Sequence, residues 1–170
     1  RSDNNKEIFS YLKKYKKKFK KIDSFLLIGT GGSSLGAKAI ISLHDKKKIN
    51  FIENLDPITL KNFFKNNKKN SLGLLIISKS GETLEVLCLL DILMNSFKNN
   101  FDLINNSLII SDKKNSTLRN IANKYSIDVL DHDKNIGGRF SCFSLTGLLP
   151  MYLAGINGIK LKEIVDKRFK

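Results

Sequence analysis

The sequence contains few of several residue types, and these shortages exclude several classes of protein. It has no tryptophan, two prolines, two cysteines and two histidines in 170 residues. Two cysteines cannot build the disulfide framework of a small secreted domain, and no Cys/His spacing typical of a metal site occurs. We therefore expect no metal and a reducing, cytoplasmic location. Cys88 and Cys142 stand in apolar stretches, so we expect both to be buried in helices.

Long apolar runs and arginine are also scarce. No run approaches the roughly 20 residues that span a bilayer, so we expect no membrane partner. Lysine and arginine outnumber acidic residues 30 to 16, giving a net charge of +14, but only four of these residues are arginine. Arginine is the residue on which specific nucleic-acid recognition depends. Because Lys, Asn and Ile are abundant together, we interpret the charge as solvated lysines and expect no nucleic-acid partner.

Short apolar runs alternate with segments of helical spacing along the whole chain. Five runs are bounded by turn residues and begin near Ser24, Ile49, Gly73, Ser107 and Asp128. This alternation predicts an α/β three-layer sandwich, in which a five-stranded parallel sheet is flanked by helices in a Rossmann-like arrangement.

We divide the chain into three parts. Residues 1–21 form an N-terminal helix that packs on the domain, and residues 22–157 form the ligand-binding domain. Residues 158–170 begin a helix that leads to a second half. Because the chain starts at Arg1 rather than Met, we expect it to be part of a longer protein.

Local signals place several helix ends. Ser33 and Ser34 are candidate caps of a helix that begins at Leu35. Asp56 followed by Pro57 predicts a second helix start. A further helix is expected from about Ser141 to Leu153, ended by Gly155 or Gly158.

Ligands of open α/β sheets bind at the carboxyl ends of the strands, and three segments follow predicted strands there. The first, Gly29–Ser34, is a glycine-rich turn suited to an anion. It resembles a dinucleotide fingerprint without matching it, and Glu53 is the one candidate for a ribose-binding acid. A tight turn without a ligand is the alternative.

The second segment places three hydroxyls, those of Ser78, Ser80 and Thr83, around a turn and a helix start. Hydroxyls and backbone amides together form a neutral phosphate cradle. The alternative is a helix cap, but a cap needs only one hydroxyl. We therefore favour phosphate binding, to which Lys79 would add charge.

The third segment, Gly137–Ser141, contains Arg139. Its guanidinium could reach sugar hydroxyls or a developing enolate oxygen, and a structural salt bridge is the alternative. His132, between two aspartates, is a candidate acid or base, whereas His44 lies in an exposed, inert loop. No nucleophile–base pair can be assembled.

Four motifs carry a family likeness in the same order as the family has them. They are Gly-Thr-Gly-Gly-Ser-Ser-Leu-Gly at Gly29–Gly36, Asn54–Pro57, Ser78–Thr83, and Gly-Gly-Arg-Phe-Ser at Gly137–Ser141, which continues to Pro150. Together they resemble the phosphoglucose isomerase family, which implies a sugar isomerase (SIS) domain. Ser80-Gly81-Glu82-Thr83 also resembles other sugar isomerase domains, because phosphoglucose isomerases more often have Thr-Phe-Thr-Thr-type residues there. The Gly-Gly-Arg signature favours the phosphoglucose isomerases.

The resemblance implies a role for each candidate residue. Ser78, Lys79, Ser80 and Thr83 would hold the substrate phosphate. Gly32 and Ser33 would line the sugar site, and Arg139 would stabilise an enediol-like intermediate.

The implied reaction interconverts glucose 6-phosphate and fructose 6-phosphate through a cis-enediol, without cofactor or metal, in a homodimer. The family's glutamate base, and the histidine and lysine of ring opening, come from a later half, and no Gly-Asn…Glu-Ser segment occurs before Lys170. We therefore expect this chain alone to bind sugar phosphate weakly without isomerising it. The alternatives are a non-enzymatic sugar-phosphate sensor, another SIS-type isomerase, and an NAD-binding module.

Overall fold

A computed structural model describes residues 2–44, 48–66, 71–96 and 101–168. Five parallel strands form one sheet in the order β2-β1-β3-β4-β5. The predicted α/β class and the five-stranded parallel sheet are therefore confirmed. The strands are β1 Ser24–Ile28, β2 Ile49–Ile52, β3 Leu72–Ile77, β4 Ser107–Asp112 and β5 Asp128–His132.

Helices connect the strands and cover both faces of the sheet. They are α1 Ser2–Lys18, α2 Leu35–Ser42, α3 Pro57–Asn66, α4 Leu84–Ser96, α5 Phe101–Asn105, α6 Thr117–Tyr125, α7 Leu145–Leu153 and α8 Gly158–Arg168, with 3-10 turns at Gly31–Ser33 and Gly138–Phe143. No helix in the described ranges has the length and apolarity that crossing a bilayer requires.

Alternate residues of each strand point to opposite faces, and this alternation divides the core in two. Leu27 and Leu75 belong to one cluster, whereas Leu26 and Leu74 belong to the other. The first cluster also contains side chains of α1, α2 and α7, and the second contains side chains of α3, α4 and α6. Every residue of β3 is buried, as expected for a central parallel strand covered on both faces.

Some predicted helix ends are confirmed. The Asp56 carboxylate accepts hydrogen bonds from the backbone N–H groups of Ile58 (3.0 Å) and Thr59 (3.2 Å), so Asp56 starts α3 as predicted. Gly155 has a φ of +86° and ends α7, with the Ile156 N–H bonded to the Met151 carbonyl at 2.8 Å.

Other local predictions are wrong. The prediction that α7 begins near Ser141 fails because residues Gly138–Phe143 form a 3-10 turn first. Ser34 precedes α2, but its hydroxyl makes no cap hydrogen bond, because it donates to Glu53 instead. Both cysteines are only half-buried, and Cys142 lies in the 3-10 turn. The short helix α5 was not predicted.

Three expectations from the sequence include residues that are not described: a polar loop rich in Asn and Lys from Lys65 to Ser71, a helix from Leu84 to about Phe97, and a last helix from Leu161 to Phe169. Residues 67–70, 97 and 169 lie outside the described ranges.

Candidate functional site

The strand order places a crevice between β1 and β3. The chain leaves β1 towards β2 on one side and leaves β3 towards β4 on the other. This is the switch point at which open α/β sheets bind ligands. Two of the predicted segments, Gly29–Ser34 and Ser78–Thr83, follow these two strands directly. The first segment begins close to the end of β3, since a Cβ added to Gly29 would lie 3.2 Å from the Ile77 carbonyl oxygen.

The three predicted hydroxyls of the second segment converge. Thr83 Oγ1 lies 2.9 Å from Ser78 Oγ and 3.4 Å from Ser80 Oγ. The backbone N–H groups of Gly81 and Glu82 donate to Ser78 Oγ and Ser80 Oγ, each at 3.1 Å. Ser78 is only 2% exposed, while Ser80 and Thr83 are half-buried. We call the bend Ser78–Thr83 the hydroxyl loop.

The hydroxyl loop turns at Gly81, which has a φ of +69°. A Cβ at this position would lie 2.3 Å from Ser116 Oγ, at the start of α6. The Leu118 N–H also donates to the Gly81 carbonyl at 3.1 Å. Glycine is thus required both for the turn and for close packing against α6.

The Lys79 ammonium faces the third segment. It donates to the carbonyl oxygens of Lys134 (3.1 Å) and Ile136 (2.8 Å), which precede Gly137. Two of the three ammonium hydrogens are therefore already engaged. In this structure, Lys79 connects the hydroxyl loop to the segment that carries Arg139.

The first and third segments are in direct contact. Ser141 Oγ donates to the carbonyl oxygens of Gly32 (2.9 Å) and Gly138 (2.6 Å). A Cβ on Gly32 would lie 2.3 Å from the Gly138 carbonyl group and 2.7 Å from the Arg139 nitrogen. Ser33 follows Gly32 and is half-buried. All three predicted segments therefore meet at one end of the sheet.

Arg139 is exposed beside this contact, and none of the ion pairs found between described residues includes it. The alternative of a structural salt bridge is therefore not seen within the described part of the chain. Its guanidinium remains available to a ligand.

Two further candidates are Glu53, for a ribose, and His132, for acid–base chemistry. The Glu53 carboxylate accepts from Ser34 Oγ and Lys38 Nζ, both at 2.5 Å. Desolvation opposes the ionised form, but these hydrogen bonds lower the pKa of the Glu53 carboxyl. His132 is 5% exposed, and its Nδ1 lies 3.4 Å from Asp112 Oδ1. Burial lowers the pKa of the His132 imidazole.

Arg119 holds the ends of the neighbouring strands and was missed by the sequence analysis. Its Nε donates to the Asp112 carbonyl at 2.7 Å, one Nη donates to the Ser111 carbonyl at 3.1 Å, and the same Nη pairs with Asp131. The position of Arg119 in the first turn of a helix after β4 was the only available signal. Across the described ranges, no group of three His, Cys, Asp or Glu side chains is placed to hold a metal ion.

Comparison with known proteins decides the family. The model of the phosphoglucose isomerase family matches residues 8–167 of this chain. The chain belongs to the phosphoglucose isomerase family. Its Gly-rich, hydroxyl and Gly-Gly-Arg segments all lie within the matched range, so the family resemblance seen in the sequence is confirmed.

Glucose-6-phosphate isomerases of several organisms are similar to this chain. The glucose-6-phosphate isomerase of Campylobacter jejuni is 33% identical over 149 residues, which is 84% of this chain and 36% of that protein. The enzyme of Methanocaldococcus jannaschii is 34% identical over 157 residues, or 86% of this chain and 37% of that protein. The chain thus spans little more than a third of the length of these relatives.

Solved structures agree with the fold. A hypothetical protein from Thermus thermophilus superposes with a TM-score of 0.82 at 26% identity, covering 90% of this chain and 38% of that one. A glucose-6-phosphate isomerase from Chlamydia trachomatis superposes with a TM-score of 0.77 at 23% identity, covering 91% of this chain and 30% of that one. Tagatose-6-phosphate ketose/aldose isomerase from Escherichia coli superposes with a TM-score of 0.62 at 15% identity, covering 96% of this chain and 47% of that one. The fold is therefore that of a SIS-type sugar isomerase domain.

Proposed function

We propose that this chain supplies the substrate-phosphate site of a glucose-6-phosphate isomerase. The observation that carries the proposal is the convergence of three hydroxyls and two backbone N–H groups at the β1/β3 switch point. The family match supports the reaction, the interconversion of glucose 6-phosphate and fructose 6-phosphate.

The hydroxyl loop suits a phosphate group because its donors can be redirected. Each hydroxyl rotates about its C–O bond, so hydrogens now shared among Ser78, Ser80 and Thr83 can turn towards phosphate oxygens. Exchanging one hydroxyl partner for a charged acceptor is favourable, since hydrogen bonds to charged groups are stronger. The third ammonium hydrogen of Lys79 would add a cationic donor.

The remaining residues would serve the sugar. Gly32 and Ser33 lie in the segment after β1, across the switch point from the hydroxyl loop. The backbone nitrogen of Arg139 lies next to Gly32, so the arginine is carried by the segment that meets the crevice. A cation there would stabilise the negative charge that develops on an enediolate oxygen.

Proton transfer between C2 and C1 also requires a base, which we propose lies outside this chain. The carboxylate of Glu53 is engaged by Ser34 and Lys38, and His132 is buried next to Asp112 at the end of the edge strand β5. The 170-residue chain alone would then bind sugar phosphate weakly without turnover. A coupled assay that finds turnover comparable to an intact isomerase would contradict this.

We further propose that the intact protein is a cytoplasmic homodimer. Large apolar side chains are exposed around the end of the sheet that carries the site, and Phe140 beside Arg139 is 79% exposed. The others are Leu35, Leu55, Ile58 and Leu84. Exposed apolar side chains at this end of the sheet fit a surface that another polypeptide covers. Light scattering of the intact protein tests the dimer.

Calorimetric titration tests the phosphate site. We expect fructose 6-phosphate to bind and NAD not to bind. Ser80→Ala and Thr83→Ala should each weaken fructose 6-phosphate binding by roughly 1–3 kcal/mol, the cost of an unmade hydrogen bond to a charged group. Ser42→Ala is the matched control, because this exposed serine lies at the end of α2 and bonds only its own helix. Unchanged affinity in both loop variants would refute the phosphate site, and NAD binding alone would favour a nucleotide-binding module.

A further inference from the structure

The hydroxyl loop contains an acidic residue whose position calls for an explanation. Glu82 lies between Gly81 and Thr83 and is exposed. A free carboxylate beside a phosphate would repel it, because like charges a few ångströms apart disfavour one another. The structure directs this carboxylate away from the three hydroxyls and towards α6.

Both hydrogen bonds found for the Glu82 carboxylate come from one residue, Thr117. The two carboxylate oxygens accept hydrogen bonds from the Thr117 backbone N–H at 2.6 Å and from Thr117 Oγ1 at 2.7 Å. Thr117 is the first residue of α6. Glu82 therefore satisfies a backbone donor at a helix N-terminus, where the partial positive charge of the helix favours an anion. The Thr117 backbone hydrogen bond also lowers the pKa of the Glu82 carboxyl.

Other contacts also join the hydroxyl loop to the start of α6. The Leu118 N–H donates to the Gly81 carbonyl at 3.1 Å, and Gly81 packs closely on Ser116. The Glu82 N–H donates to Ser80 Oγ at 3.1 Å, so the backbone of Glu82 is itself part of the hydroxyl cluster. A displacement of Glu82 would therefore move Ser80 and Thr83 on either side of it.

We propose that Glu82 is a positioning residue of the phosphate site, fastening the hydroxyl loop to the first turn of α6 without touching the ligand. This inference rests on the proposed phosphate-binding function. It explains why an acidic side chain is compatible with an anion site: its charge is directed at the α6 terminus, while its backbone orders the hydroxyls.

The direction in which Glu82→Ala changes phosphate affinity distinguishes a positioning role from a purely electrostatic effect. Glu82→Ala removes a negative charge near the anion, so Coulomb attraction alone would leave inorganic phosphate binding unchanged or tighter. Loss of the fastening predicts the opposite, a dissociation constant about tenfold or more higher. Glu82→Gln keeps an acceptor for Thr117 and should bind phosphate more tightly than the alanine variant.

A neighbouring glutamate provides the control. Glu85→Ala removes the same charge three residues later, at an exposed position in the first turn of α4, and should not weaken phosphate binding. Calorimetry with inorganic phosphate is run on all variants, with thermal melting as the check of folding. If Glu82→Ala does not fold, Thr117→Ala removes only the hydroxyl bond and should raise the dissociation constant about threefold.

The phosphate site and the positioning role of Glu82 can be refuted separately. Absence of phosphate binding by the unaltered chain would overturn the proposed function, and with it this inference. If the unaltered chain binds phosphate and Glu82→Ala binds it equally or more tightly, the positioning role alone is overturned. The same result for Thr117→Ala counts in the same way where that variant replaces Glu82→Ala. Equal binding by Glu82→Gln and Glu82→Ala would also overturn it.

Discussion

Replacing Gly32 with alanine should separate the first and third segments of the site. A Cβ on Gly32 would lie 2.3 Å from both the carbonyl carbon and the carbonyl oxygen of Gly138, and 2.7 Å from the Arg139 nitrogen. These are backbone atoms, which cannot rotate aside as a flexible side chain can. The two segments would have to move apart by about 1 Å to restore ordinary van der Waals spacing.

The cost of this change follows from overpacking. Forcing an extra methyl group into a packed contact costs about 1–3 kcal/mol. Gly32 does not have a positive φ, so the backbone conformation itself adds no penalty. For a chain of this size, each kcal/mol lowers Tm by about 2–4 °C, so a fall of roughly 2–12 °C is expected.

Gly138→Ala is a matched control on the other side of the same contact. Its added Cβ would meet only the Gly32 Cα, at 4.0 Å, which is ordinary contact. We expect its Tm to stay within about 2 °C of the original value. Urea denaturation and thermal melting of the two variants provide the comparison. Equal losses in Gly32→Ala and Gly138→Ala would refute the close approach of the two segments.

Three further changes test other parts of the structure. Burial lowers the pKa of His132 in the folded protein. Below pH 6.5 the histidine of the unfolded chain is therefore protonated while folded His132 stays neutral. The free energy of unfolding should then fall as the pH drops from 6.5 towards the lowered pKa of His132. His132→Gln should flatten this dependence in melting curves, and an unchanged slope would contradict the burial. Gly81→Ala combines a strained left-handed backbone with a clash, so it should lower the free energy of unfolding by about 2–4 kcal/mol. Gly155→Ala has the backbone strain but no clash and should lower it by about 1–2 kcal/mol. Equal losses of stability in urea denaturation would contradict this. Arg119→Met removes two donors to carbonyls at the end of β4 and should lower the free energy of unfolding by about 1–3 kcal/mol, whereas an unchanged value would show that water replaces them.

The sheet and the hydroxyl loop could be predicted because their signals are local. Each strand is a short apolar run bounded by turn residues, and the three hydroxyls of the loop are separated by only a few positions. The strand order, which places the loop at a switch point, was not visible in the sequence. It depends on which strands pair, a choice made by packing over long separations.

The mispredicted start of α7 has a tertiary cause. A helix was expected from about Ser141, but Ser141 Oγ bonds the Gly32 carbonyl, which lies 109 residues away. Gly147 also packs so closely on the Cys142 carbonyl that a Cβ there would lie 1.9 Å from its oxygen. These contacts hold a 3-10 turn where local propensity favours a regular helix.

Long-range contacts also explain what was not foreseen at the site. Lys79 was expected to add charge at the phosphate, but its ammonium contacts carbonyl oxygens 55 and 57 residues further along the chain. Its assignment to phosphate binding stays a prediction. β5 extends through two polar residues, Asp131, which pairs with Arg119, and His132, which is buried beside Asp112.

A crystal structure of the chain with fructose 6-phosphate would test the central claim most directly. We predict phosphate oxygens within about 3 Å of the hydroxyls of Ser78, Ser80 and Thr83, with the sugar directed towards Gly32 and Arg139. A fully occupied ligand whose phosphate lies elsewhere, with the three hydroxyls still bonded only to one another, would contradict it.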